Sequence, residues 1–310
     1  MRRAISSVLA QDVPEGWRLE VVVAVSDPRE RADLAAAEEA ARDQRVVVAH
    51  GPGTTAGATR NAGLRRAAGE VVAFLDDDCE ARPGWLAEML AALTSADLAQ
   101  GRTVPAFDPP PMWRTISIEP LTWLWEACNL AVRRDLVDRT AVFDEGWDAT
   151  GRVDLPFGED ADWGWQLVRG GARYAAASNA VVEHVVEPRG LGAYLEHVAR
   201  LRLFPRLIRK APEVRRIFYG GYFVGRRHAE LAAVTALSAG ALAARATQRR
   251  RLAVTMGVTA AALYARPLGG ELRRRPLSKS LKLSALRTVT EVVELGACVY
   301  GSVRWRRLLL

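Results

Sequence analysis

Asp76, Asp77 and Asp78 stand in a row directly after the apolar run "VVAFL". Two carboxylates about 5 Å apart repel by roughly 3 kcal/mol at an effective dielectric of about 20, so three at a strand end require a cation or a dense set of donors. Hard divalent cations suit such a cluster, because they take carboxylate oxygen and keep water or phosphate as their other ligands. A second acidic group, Glu159, Asp160 and Asp162 in "PFGEDADWGWQLVRGG", opens a helical pattern. Acidic residues there also complement the helix dipole. Arg60 and Asn61 lie in "GATRNAG", and His184 in "VVEHVV". The nearby "GPGTTAG" lacks the Gly-Lys-Ser/Thr ending of a phosphate loop and is discounted.

The elements that position these residues alternate. "LEVVVAV" reads as a strand covered on both faces, "DPRERADLAAAEEAARDQ" as a helix and "RVVVAH" as a second strand. A helix starting near Thr59 and stopping at Gly69 leads into "VVAFL", and "GWLAEMLAALTSA" supplies the next helix. This order predicts a mostly parallel sheet with helices on both faces. In such sheets ligands gather at the carboxyl ends of the strands, which is where the three aspartates fall. "QGRTVPAFDPPPMW" is a Pro-rich loop, and "AAASNAVVEHVVEP" contains a short strand carrying His184.

The 310 residues suffice for a large domain and an appendage. Cys79, Cys128 and Cys298 form neither a disulfide framework nor a zinc pattern, which fits a reducing compartment. "MRRAISSVLAQ" has no apolar core of signal-peptide length and argues against secretion. The formal charge of +7 hides a division: residues 200–310 carry 23 basic and 5 acidic residues, net +18, whereas residues 1–199 carry 20 and 31, net −11. The basic part is expected to meet an anionic surface.

Three stretches, "GATRNAGLRRAAGEVVAFLDDDCEARPGWL", "CNLAVRRDLVDRTAVFDEGW" and "FGEDADWGWQLVRGG", occur in order over about 100 residues. Together they resemble the nucleotide-sugar glycosyltransferases of family 2, and the resemblance extends over residues 4–188. It implies the GT-A fold and an inverting transfer from a nucleotide-sugar donor, assisted by Mg²⁺ or Mn²⁺. By the same resemblance Asp78 holds the metal, Asp76 the ribose or a metal-bound water, Asp77 lies between them on the donor side, and His184 joins the metal and diphosphate. Glu159 and Asp160 match the pair that supplies the catalytic base, taken here as Asp160. Arg60 and Asn61 match a donor-binding Arg-Asn, while Asn129 and Arg133 of "CNLAVRR" fall on the acceptor side.

Two departures from the family pattern stand out. The chain opens on what resembles the helix after the family's first strand, so that strand is expected to be missing. No clear equivalent of the base-facing aspartate follows the second strand, and Asp27 is the nearest candidate. Processive relatives carry Gln-x-x-Arg-Trp, whereas "EHVARLRLFPRLIRK" has no tryptophan and offers Arg200 and Arg202 as a diphosphate clamp. Addition of a single sugar is therefore expected.

The expected organisation is a catalytic domain over residues 1–188 and a basic helical region over 189–310. Residues 231–244 and 252–265 are uncharged Ala-rich runs, each short of the ~20 residues that span a bilayer. Interfacial helices at the cytoplasmic membrane face are expected, with a lipid-linked or cell-envelope glycan as acceptor. No nucleic-acid-binding signature accompanies the charge, so no nucleic-acid partner is expected. A non-catalytic sugar-nucleotide or glycan-binding homologue is the main rival. A haloacid-dehalogenase-like phosphatase is weaker, since strands and helices precede Asp76 and Glu80 stands where that family needs Thr or Val.

Overall fold

The computed structural model describes residues 1–26, 31–51, 55–110, 113–140, 142–146, 157–273 and 276–310. They divide into two compact units, Met1–Tyr194 and Leu195–Leu310.

In the first unit α1 (Arg2–Leu9) precedes β1 (Val21–Val25), α2 (Arg31–Ala40), β2 (Val46–His50), α3 (Ala56–Arg66) and β3 (Val71–Leu75). β4 (Cys79–Ala81), α4 (Trp85–Ala92), β5 (Leu98–Pro105), β6 (Asn129–Arg133), α5 (Arg134–Arg139), α6 (Glu159–Arg169) and β7 (Tyr174–His184) follow. Local chemistry sets the helices that carry the site. Thr55 caps α3 by accepting the Ala58 N–H at 3.0 Å, and Arg65 and Arg66 complement its last turn. Gly158, at φ 85°, turns the chain into α6, whose first turn holds Glu159, Asp160 and Asp162.

The first strand of the chain is β1, preceded by a helix as expected, and the fold is the mixed α/β arrangement that the GT-A resemblance implies. The expectation of a mostly parallel sheet needs correction. β1–β2 and β5–β7 are parallel, but β6 lies antiparallel between β3 and β5, and β4 runs antiparallel to β7. The connections explain this. Parallel neighbours need a crossover of a dozen or more residues; β4 follows β3 after a tight turn closed by Cys79 N–H on the Asp76 carbonyl at 3.1 Å and pairs with β7 rather than with β3. β6 is entered from the loop 106–128, which has no helix among its described residues to carry the chain back to the start of β5.

Trp85, Met89 and Leu93 of the α4 segment pack on Ala99, Cys128, Ala131 and Val182 of the larger sheet. Each large side chain so buried stabilises the fold by about 1.5–3 kcal/mol. Trp163 of α6 stacks on Phe143 at 4.2 Å and meets Phe74 of β3 edge-on at 5.5 Å, fixing the acidic first turn of α6 relative to the end of β3. α6 presents Gly164 to Trp125, where any side chain would run into the indole.

The second unit is helical. Its long elements are α9 (Arg226–Ala246), α10 (Arg250–Leu272) and α11 (Leu277–Trp305), preceded by α7 (Leu191–Val198), which starts in the first unit, and α8 (Phe204–Lys210). Arg227 meets Glu291 at 2.8 Å and Arg266 meets Glu230 at 2.8 Å, so ion pairs tie the three long helices together, and His228 lies 3.1 Å from Glu294. The two Ala-rich runs lie inside α9 and α10. Because helix continues through the charged flanks, α9 reaches 21 residues and, by length and composition, is the one helix among the described residues apolar enough to cross a membrane.

Candidate active site

At the carboxyl end of β3 the aspartates separate into different environments. Arg60 of α3 donates through Nη2 to Asp76 Oδ1 at 3.1 Å and through Nη1 to Glu159 Oε1 at 2.8 Å. One guanidinium thus joins α3, β3 and α6. Burial works against the charge on Arg60, yet Asp76, Glu159 and Asp160 together raise its pKa. Asp77 is exposed, and its carbonyl accepts from the Met1 amino group.

Asp78 faces His184 at the end of β7, with Oδ2 3.2 Å from Nε2. The His184 ring is fully buried and its Nδ1 lies 2.6 Å from the Val185 carbonyl. A proton on Nδ1 satisfies that carbonyl, which leaves Nε2 as the group without a hydrogen-bond partner, directed at a carboxylate. A nitrogen lone pair beside a carboxylate oxygen holds either a proton or a cation between them, so the pair fits a divalent ion. Cys79 Sγ is also near this pair. Its pKa, however, is pushed far up by the hydrogen bond with Cys128 and by burial, so it stays a thiol and the donor set is carboxylate oxygen and imidazole nitrogen. Asp76, expected as a further ligand, is held by Arg60 instead and lies outside that close group.

Burial disfavours the imidazolium of His184, but Asp78 and the Val185 carbonyl outweigh it and raise the pKa above the usual 6.5. A ligating cation must displace that proton. Mn²⁺ affinity is therefore expected to climb as pH rises through the raised His184 pKa, and to lose this dependence in His184→Gln. A calorimetric titration checks this, and a flat profile in the parent protein contradicts it.

Asp160 follows Glu159 in the first turn of α6. Its carboxylate accepts the Ala127 N–H at 3.2 Å and the Ala161 N–H at 2.9 Å. Burial first, and then the neighbouring carboxylates Glu159 and Glu126, push its pKa up to about 8 against the pull of Arg60. A carboxylate so tuned is a proton acceptor suited to neutral pH. The Ala127 donor is presented by a loop in which Leu121, Trp123 and Trp125 all have left-handed backbones, with φ of 65°, 68° and 53°. Trp123 stacks on Trp165 at 5.9 Å and Trp125 meets Tyr174 at 5.4 Å, and this aromatic packing holds the loop.

The remaining expected site residues lie elsewhere or have internal partners. Asn61 is fully buried and clasps the 143–145 segment, donating to the Phe143 carbonyl and Glu145 and accepting the Phe143 N–H. Asn129 accepts from Trp85 Nε1 and donates to the Arg102 and Ala180 carbonyls. Arg133 bonds the Leu93 and Ala96 carbonyls beyond α4. It pairs with Val71, at the end of β3 opposite the aspartates. Arg200 lies in the second unit, on the 3-10 turn Ala199–Leu203. Asp27 is outside the described residues.

Sequence reasoning missed two members. Arg114, from the Pro-rich loop, is fixed by a backbone bridge to Glu187 and acts electrostatically on Asp78. Glu126 is buried against Gln100 at 2.6 Å and Thr122 at 2.7 Å beside Asp160. Its position directly before "ACNLAVRR" was the available signal.

No curated protein matches the chain in sequence. Among solved structures it is similar to TarS of S. aureus, residues 1–349 with UDP, at 20% identity and a TM-score of 0.46, covering 66% of this chain and 60% of that one. A longer TarS structure gives 19% identity and a TM-score of 0.42, with 65% and 37% covered. GalNAc-T7 with UDP, GalNAc and Mn²⁺ gives 15% and 0.45, with 63% and 44% covered. The chain thus spans between about a third and three-fifths of these proteins. Residues 1–154, which supply Arg60, the three aspartates and β1 to β6, match the family described as glycosyl transferase family 2, and this part of the chain belongs to that family.

Proposed function

We propose that the protein is an inverting glycosyltransferase that adds one sugar from a nucleotide-sugar donor to a lipid-linked or cell-envelope glycan. The observation that carries the reading is the convergence on Arg60 of Asp76 from β3 and Glu159 from α6, with Asp160 one residue farther on. Asp78 and His184 would hold Mg²⁺ or Mn²⁺, which when bound neutralises charge on the departing diphosphate. Arg60 and Arg114 orient the anionic oxygens of the donor. Asp160 takes the proton of the acceptor hydroxyl as that oxygen bonds to the anomeric carbon and the bond to the diphosphate breaks. One displacement inverts the centre, and no carboxylate nucleophile takes part.

A panel of nucleotide sugars assayed for metal-dependent release of nucleoside diphosphate tests this. Release of one diphosphate that stops with chelator is expected, while binding without release across the panel supports the non-catalytic homologue instead. The specific observation favouring that rival is the open cavity along β1 and β3, which reaches the aspartates.

The basic unit is assigned to the cytoplasmic membrane face. Its support is the net +18 over residues 200–310 together with apolar side chains turned outward: Leu242, Val258 and Val303 are 71%, 64% and 75% exposed. Basic residues near an anionic surface contribute roughly 1 kcal/mol each, screened by salt. Full-length protein is expected to float with anionic vesicles at low salt and to keep a salt-resistant fraction through apolar insertion. Sedimentation without the vesicles at low salt would remove the membrane assignment.

A further inference from the structure

The basic residues of the second unit are not spread evenly. Residues 202–216 and 304–307 hold nine of them against Glu213 alone, net +8, and the fold brings the two stretches together. The Arg206 and Arg304 guanidiniums lie 5.3 and 5.4 Å from the centre of the Trp305 ring, so the last turn of α11 sits on α8. Gly301 of α11 approaches the Arg202 carbonyl so closely that any side chain there would run into it. Beyond α11 the chain folds back: the Leu310 N–H reaches the Tyr222 carbonyl and the Val224 N–H the Leu310 carbonyl, both at 2.8 Å. Arg215 Nη1 donates to the Gly221 and Leu308 carbonyls at 2.7 and 3.2 Å, and its guanidinium lies 4.7 Å over the Tyr222 ring. Leu207, Ile208, Val214 and Leu309 are fully buried beneath.

A ring face or a carbonyl holds a guanidinium in place without cancelling its charge. Arg209, Arg304, Arg306 and Arg307 are exposed, and Tyr219, Tyr222 and Leu308 stand about half-exposed among them. Tyrosine and tryptophan beside arginine suit the boundary of a bilayer, where an apolar body meets acyl chains and a polar tip stays among headgroups. A second basic group, Arg245, Arg249, Arg250 and Arg251 at the turn between α9 and α10, has no aromatic residue beside it in sequence. α9 starts at Arg226, two residues past Val224, and packs chiefly along α10. Its 21 residues carry that turn about 30 Å away from the first group.

We infer that the basic, aromatic end formed by α8, the 3-10 turn Pro212–Ile217 and residues 304–310 is the surface that lies against an anionic bilayer, with its arginines on the lipid phosphates. The inference rests on the membrane reading above and goes past it by choosing one of two basic groups. Guanidinium groups match phosphate oxygens in pairs, and the exposed leucine and tyrosines beside them favour lipid over nucleic acid.

Variants of the full-length chain test it by flotation with vesicles of phosphatidylglycerol and phosphatidylcholine at about 0.1 M salt, where the Debye length is about 10 Å. Arg209→Gln, Arg304→Gln, Arg306→Gln and Arg307→Gln together are expected to lower partitioning by roughly 10²-fold or more. Lysine at the same four positions keeps the charge and is expected to restore it, and thermal melts confirm that each variant is folded. Arg245→Gln, Arg249→Gln, Arg250→Gln and Arg251→Gln remove as much charge and are expected to leave partitioning nearly unchanged, because that turn lies well beyond a Debye length. Equal weakening by both glutamine sets, no weakening by the first, or no recovery with lysine overturns this surface and leaves the membrane reading standing. A parent chain that does not float at this salt overturns the inference, and one that does not float at low salt either removes the membrane reading as well. A parent that binds single-stranded RNA at this salt without floating assigns the surface to nucleic acid instead.

Discussion

Asp160→Asn is expected to cut transfer by about 10²–10⁴ while leaving donor affinity nearly intact, the range for loss of a positioned general base. The amide keeps the shape and the Ala127 contact but accepts no proton from a hydroxyl. The sign of the pH effect follows from the raised pKa. Only the ionised form acts as base, so the parent rate climbs with pH toward a value near 8 and the variant loses that limb. Stability moves the other way. A carboxyl whose pKa is higher folded than unfolded favours folding at low pH and disfavours it as pH rises through the folded value. The variant should therefore be at least as stable as the parent in alkaline buffer, which separates lost chemistry from lost structure. Single-turnover rates and thermal melts across pH decide it, and an undiminished rate would move the base to Glu159.

Asp78→Ala is expected to abolish both cation binding and transfer. It removes the charged partner of His184 and leaves a buried imidazole with nothing to share a proton or cation. Losing one member of a buried charged pair also costs about 3–5 kcal/mol in typical cases, and the half-exposed Asp78 side chain places the cost here below that range. Asp78→Asn separates the two effects, since it keeps the volume and a carbonyl oxygen while losing the charge. Mn²⁺ titration and donor turnover in both variants check the expectation. Wild-type turnover of Asp78→Ala in chelator-treated buffer would end the metal assignment.

Much of this arrangement was legible before any coordinates. Strand–helix alternation located β1, β2, β3 and α3, and three aspartates after an apolar run marked a strand end because no core position tolerates them. The strand pairings were less legible. Whether β6 enters parallel or antiparallel depends on a long loop without periodicity, and that choice decides which end of β3 Arg133 reaches. Asn61 and Asn129 show a further limit: an amide that clasps backbone inside a core has the same letter as one that binds a ligand, and only its partners distinguish them. Arg114 stayed hidden because a Pro-rich loop reveals nothing of where it folds back.

The guanidinium shared by Asp76 and Glu159 has a kinetic consequence. Arg60 arrives already neutralised, and Asp77 and Asp78 add further negative charge at the mouth of the cavity, offset in part by the Met1 amino group, His184 and Arg114. A bare diphosphate approaching this mouth is repelled, whereas one that carries its divalent ion is not. Under the proposed function, association is expected to run in one order, ion with or before donor, with added monovalent salt speeding the encounter of the bare anion and slowing that of the ion. Equal donor affinity with and without the ion would contradict it.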